Sequence, residues 1–77
     1  MIIQFELTDT YAGESNYSWV KRHKIELPDN KSDLSIIRMA KKWCGMNGVR
    51  AKIENYGDTI SIKPFGACVV LFITWGE

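Results

Sequence analysis

The chain is poor in the residues that usually announce chemistry. It holds one histidine, two cysteines and two prolines in 77 residues. A lone His and two widely spaced thiols, Cys44 and Cys68, fall short of the four ligands of an ordinary structural metal site. No metal is therefore expected. No Ser or Cys stands in a nucleophile motif. There is no phosphate-cradling loop and no dinucleotide-binding glycine pattern, so no cofactor is expected either. An excess of charge of one sign is also lacking: the net charge is +1. That argues against a chain built mainly to coat nucleic acid, though a local basic patch is compatible with it. No apolar run approaches the roughly 20 residues of a membrane helix. Met1 leads straight into a strand pattern, without the basic start and apolar run of a secretion signal. The two thiols read as buried small hydrophobes; a helix-to-sheet disulfide is the lesser alternative in a reducing compartment.

What is present describes one small domain over residues 1–77, with 45% hydrophobic residues, too many for a disordered chain. The segment from Ser32 to Asn47 alone has apolar residues at helical spacing. On a helical wheel Ile36, Ile37, Ala40, Trp43 and Cys44 share one side, with Leu34 and Met39 at its edges; Ser35, Arg38, Lys41 and Lys42 share the other. Asn30 or Ser32 can cap its start, and Asp33, Lys41 and Lys42 suit the helix dipole. Gly45, Asn47 and Gly48 end it.

Everything else reads as strands. Ile2 to Thr8 alternates, with Ile3, Phe5 and Leu7 on one face. Asp9 to Tyr17 reads as a polar connection, long for a hairpin. Ser18 to Leu27 is a second strand. Trp19, Ile25 and Leu27 face one way and Arg22, Lys24 and Glu26 the other. Val20 is out of phase, and a bulge near Lys21 would reconcile the halves. Val49 to Tyr56 and Thr59 to Lys63 form a third and fourth strand around a Gly57-Asp58 turn, with Val49, Ala51 and Ile53 inward. Ala67 to Trp75 is a fifth strand, apolar on both faces. Val69, Leu71 and Ile73 suit the helix, which leaves Cys68, Val70 and Phe72 without cover. The expected fold is α+β: an antiparallel sheet of about five strands with one helix on one face, in the order β-β-α-β-β-β. A partly closed barrel plugged by the helix is the alternative.

Four surfaces invite function. The loop around Tyr11, Glu14, Asn16 and Tyr17, followed by Trp19, has the aromatic and polar composition of recognition sites. Together with Val70 and Phe72 it forms the expected partner-binding surface, unless Trp19 is core and the tyrosines merely pack the loop. The basic residues Arg22, Lys24, Arg50, Lys52 and Lys63 can share the open sheet face with Tyr56 and Phe72. That suits single-stranded nucleic acid, although Glu6, Glu26 and Glu54 would offset much of the charge. His23 with Asp9, Glu14 or Asp58 would be the elements of general-base chemistry. A partly buried strand histidine is the plainer reading, and no catalytic residue is assigned. Glu14 and Asp58 could form a carboxylate pair only if their loops share one end of the sheet. A homodimer through the last strand would bury the same apolar face.

The run Asp9 to Lys21 (DTYAGESNYSWVK), with Gly48-Val49-Arg50, Tyr56-Gly57-Asp58-Thr59 and Phe65-Gly66-Ala67-Cys68, resembles a group of small uncharacterised proteins carried by bacteriophages and other mobile elements. The resemblance implies a non-enzymatic protein that binds and blocks a host or phage protein complex in the bacterial cytoplasm, as anti-CRISPR inhibitors do. It carries over no catalytic residue.

Overall fold

The computed structural model describes residues 1–76. The elements are β1 (Ile2–Tyr11), β2 (Glu14–Glu26), α1 (Asp33–Trp43), β3 (Ala51–Asn55), β4 (Thr59–Pro64) and β5 (Val69–Gly76), in the expected order. The strands form one sheet in the spatial order β2-β1-β5-β4-β3, and every neighbouring pair is antiparallel. β2 and β3 are free edges, so the sheet is open and the barrel alternative is set aside.

The helix starts where its sequence allows. The Ser32 hydroxyl accepts from the Ser35 N–H at 3.2 Å, satisfying one first-turn donor. It ends at Cys44, whose N–H reaches the Ala40 carbonyl, and Gly45 follows with φ +79°. Ile36 and Ala40 have no exposed surface. They meet Ile3, Phe5 and Leu7 of β1, Leu71 and Ile73 of β5, and Ile60 and Ile62 of β4 in a single core. The register explains this grouping, because Phe5 pairs with Ile73 and Ile73 with Ile60, one row across three strands. Val49 and Ile53 were expected inward. Near the β3 edge they stay 38% and 47% exposed, because the sheet ends there and nothing covers its rim. Cys68 lies in the β4–β5 turn and is exposed; Cys44 is half-buried, and both thiols are free.

Two expectations are corrected at β1 and β2. The stretch from Asp9 to Tyr17 is no loose connection. β1 continues to Tyr11 and β2 begins at Glu14. Between them Ala12 (φ 54°) and Gly13 (φ 84°) make a two-residue turn. Positive φ at both central positions is the type I′ hairpin geometry that matches strand twist. The irregularity is also not at Lys21. Ile2 to Thr8 pair regularly with Glu26 to Val20, and the register shifts between Thr8 and Thr10. Residues Asn16 to Trp19 bulge opposite Asp9, with Tyr17 at φ 57°. Val20 is therefore in phase with Arg22 and Lys24 on the open face.

The expectation that Val70 lacks a lid is overturned. Val70 faces away from the helix, yet its exposure is 0%, as is that of Thr8 beside it. The bulge supplies the cover. It bends the β1–β2 hairpin over the open face until the Lys63 ammonium, in β4, donates to the Gly13 carbonyl at 3.0 Å. The register sets Lys63 beside Val70 on the open face, so its link to Gly13 crosses β5 there. Phe72, one row along between Glu6 and Ser61, is half-buried.

Ala12 is the strained member of the turn, since an L-residue with a Cβ resists positive φ. Ala12→Asn creates the favoured Asn-Gly pair. It should raise stability by about 0.5–1 kcal/mol and the melting temperature by roughly 2–8 °C, read by thermal circular dichroism. An unchanged or lower melting temperature would show that the turn geometry is relaxed when the hairpin is free to move.

Candidate functional site: a clasped aromatic arm

The bulge is built on one carboxylate. Asp9 Oδ2 accepts from the Ser18 hydroxyl at 2.6 Å and the Asn16 side-chain amide at 2.9 Å; Oδ1 accepts from the Ser18 backbone N–H at 2.9 Å. Three donors converge on two oxygens, which favours the ionised form. The hydrogen bonds from Ser18 and then Asn16 hold the Asp9 carboxyl well below the usual aspartate range. The Thr8 hydroxyl donates to the Trp19 carbonyl at 2.8 Å, so the far end of the bulge is fixed from the same strand.

This clasp sets where the aromatic side chains go. Tyr17, turned by its positive φ, lays its phenol across β1 and donates to Glu6 Oε1 at 2.8 Å. The bond to the neighbouring carboxylate pushes the phenol up from its ordinary value. Glu6 Oε2 accepts from Arg22 Nε at 2.8 Å, so Tyr17, Glu6 and Arg22 form one polar chain, with the half-buried Phe72 beside Glu6 on β5. Tyr11 is 76% exposed, Tyr17 48% and Trp19 41%. The arm therefore presents rings on a backbone whose conformation is already chosen.

The expected partner-binding residues divide accordingly. Tyr11, Glu14, Asn16 and Tyr17 are brought together on the arm, Asn16 being part of its clasp. Val70 has no surface to offer, and Phe72 offers only a fraction. Trp19, which follows them, is exposed rather than core, and one residue outside the expected surface lies at the same end of the sheet: Phe65, in the β4–β5 turn, is 65% exposed. Asp9 is the residue whose role the sequence concealed. Its partners lie seven and nine positions away, and only the bulge makes them neighbours.

The other constellations are less favoured by the geometry. The register sets Arg22, Lys24, Lys52 and Lys63 on the open face, and Arg50 leads into the Lys52 row. Glu6 and Glu54 share that face, Arg22 is paired with Glu6, and Lys63 is engaged with Gly13. His23 stacks on Trp43 (6.0 Å between centroids, 19° between planes) and tilts against Phe5. No carboxylate among the described residues pairs with it. Glu14 sits at the hairpin tip opposite Tyr11, whereas Asp58 lies at the other end of the sheet, its carbonyl accepting from the Trp75 N–H. The Glu14–Asp58 pair is therefore excluded. Beside His23 a cleft of about 190 Å³ is lined by Leu7, Lys21, Trp43 and Cys44; burial raises the Cys44 thiol. No group of three or more His, Cys, Asp and Glu among the described residues could hold a metal ion. Among the described residues no helix is long and apolar enough to cross a membrane. β5 is hydrogen-bonded along both edges, so a dimer cannot form by adding a strand to it.

Comparison with protein-family models, with curated proteins and with solved structures found no match.

The clasp has a pH signature. A depressed folded-state pKa contributes stability that is fully present above the unfolded value, about 4, and is lost as the pH falls through the folded one. Asp9→Asn replaces one accepting oxygen by a donor. It should lower the melting temperature near neutral pH, and the gap to wild type should close as the pH falls well below about 4. A gap that stays constant down the acid limb would show that the carboxylate's charge is not what holds the bulge.

Proposed function

We propose that this chain is a non-enzymatic protein-binding module whose contact surface is the clasped β1–β2 arm. The observation that carries the reading is the exposure of Tyr11, Tyr17 and Trp19 on a hairpin pinned at its bulge by Asp9 and at its tip by Lys63. Rings with few torsions on a fixed backbone lose little entropy on binding, which is how recognition surfaces gain affinity from a small area. Glu14 and the edge of Phe72 add a polar rim and an apolar floor. The resemblance to small mobile-element proteins supports placing the partner in a host or phage protein complex of the bacterial cytoplasm, with this chain as an anti-defence inhibitor of it.

A second reading rests on the cations that the register gathers on the open face. There Arg22, Lys24, Arg50 and Lys52 would meet phosphates, and Tyr56 would stack with bases. It ranks lower because Glu6, Glu26 and Glu54 dilute the charge. It requires a complex at low salt whose affinity falls steeply as salt is added; a gel shift with single-stranded DNA and RNA that shows none disposes of it.

For the first reading, the measurement is capture from bacterial lysate followed by affinity for the identified partner. Tyr11→Ala and Trp19→Ala should each weaken that affinity by roughly thirtyfold, the loss expected of a central anchor, while the melting temperature stays near wild type. Partners retained equally by wild type and by the double variant would remove the arm as the contact surface.

A further inference from the structure

β2 is bare along its outer edge. It is the first strand of the sheet order and, among the described residues, pairs only with β1. Its regular part, Val20 to Glu26, is exposed at every position except Ile25, which is half-buried. The hydrogen-bond phase identifies the free groups. Leu27 N–H donates to the Met1 carbonyl at 2.9 Å, and the Met1 nitrogen to the Leu27 carbonyl at 2.8 Å. Alternation along an antiparallel ladder then turns Lys21, His23 and Ile25 toward β1. The backbone N–H and C=O of Val20, Arg22, Lys24 and Glu26 point outward. Edges of this kind accept an extended segment as an added strand.

The side chains specify the segment. On the open face the edge offers Arg22 and Lys24 in succession, with Glu26 following at its end; Arg22 shares its charge with Glu6, and no residue of β2 from Ser15 to Ile25 is acidic. On the helix face it offers Lys21 at the rim of the cleft formed with Leu7, Trp43 and Cys44. A strand laid on β2 would put one set of side chains beside two cations and the alternate set beside a partly apolar cleft. A second copy of this chain fits less well. Antiparallel self-pairing centred on His23 sets Arg22 of each copy against Lys24 of the other, and pairing centred on Lys24 sets the two Lys24 side chains against each other even as it brings Arg22 opposite Glu26; like charges directly opposite are destabilising.

We infer that the outer edge of β2 binds an extended acidic segment of another protein, alternating carboxylate and apolar side chains, by strand addition. This deepens the protein-binding reading and rests on it, yet it concerns a different surface from the aromatic arm. The probe is a capped decapeptide alternating Glu and Val, titrated into the isotope-labelled protein and followed by amide NMR shifts. A twin with Lys in place of Glu is the control. The Glu peptide should move the amides of Val20 to Glu26 and slow exchange at Arg22 and Lys24, and the Lys peptide should not. Lys24→Glu should weaken binding by at least about tenfold. Lys24→Pro removes an outward N–H without touching the β1 ladder and should do the same, the spectrum of each variant reporting that it is folded. The inference is overturned by any one of three results: no shifts on β2 with the Glu peptide, equal binding of the Lys twin, or full binding by both Lys24 variants. None of these touches the Tyr11 and Trp19 measurement, so either surface can fail alone.

Discussion

The fold is governed by a strand that needs cover twice. β5 runs through the middle of the sheet with Leu71 and Ile73 on one face and Val70 and Phe72 on the other. A chain with one helix can roof only one of these faces. Leaving Val70 in water would forgo roughly 1.5–3 kcal/mol, a large share of the stability of so small a domain. The molecule meets the demand with its longest hairpin, which has more length than the sheet requires. Bending that hairpin onto the open face gives Val70 zero exposure and leaves Phe72 half-covered. The shape of the first third of the chain follows from the composition of its last strand.

A bent hairpin needs something to keep it bent. The bulge strands donors that regular pairing would have satisfied, and it places Tyr17 at positive φ, which costs a bulky residue about 1 kcal/mol. Asp9 answers both problems. Its carboxylate collects the Ser18 N–H and hydroxyl and the Asn16 amide. At the other end the Lys63 ammonium takes the Gly13 carbonyl. Structural cover and surface presentation are thus one device: the clasp that seals Val70 also leaves the tyrosines and Trp19 outward.

The legible parts of the sequence were those with a period. Ile3, Phe5 and Leu7, and Ile60 and Ile62, alternate because one face of each strand is buried. Ile36 and Ala40 recur at helical spacing for the same reason. The Gly57 turn is legible because only a residue without a Cβ adopts its φ of +94° easily. From Asp9 to Trp19 the pattern fails, since both faces of that hairpin are largely exposed and no apolar alternation is imposed. Ala12 carries no turn signal although it sits in a turn. Asp9 reads as an ordinary loop residue until the fold brings Ser18 to it. Val70 was correctly placed on the second face. Its lid could not be read, because a bulge of several residues opposite one leaves no fixed spacing in the chain.

The same economy explains the bare edge. Residues spent on roofing β5 are not available to cap β2, and the helix, committed to the central strands, leaves Lys21 and His23 exposed. An uncovered edge on a small domain invites self-association, and cations are the usual deterrent. Lys21, Arg22 and Lys24 deter a like-charged copy, but the same charges lower the barrier for an acidic strand. Repulsion toward self and attraction toward an acidic partner are two consequences of one charge pattern. What separates a guarded edge from a recognising one is the alternate face, where Trp43 and Leu7 leave a cleft that a purely defensive arrangement would have no reason to keep open.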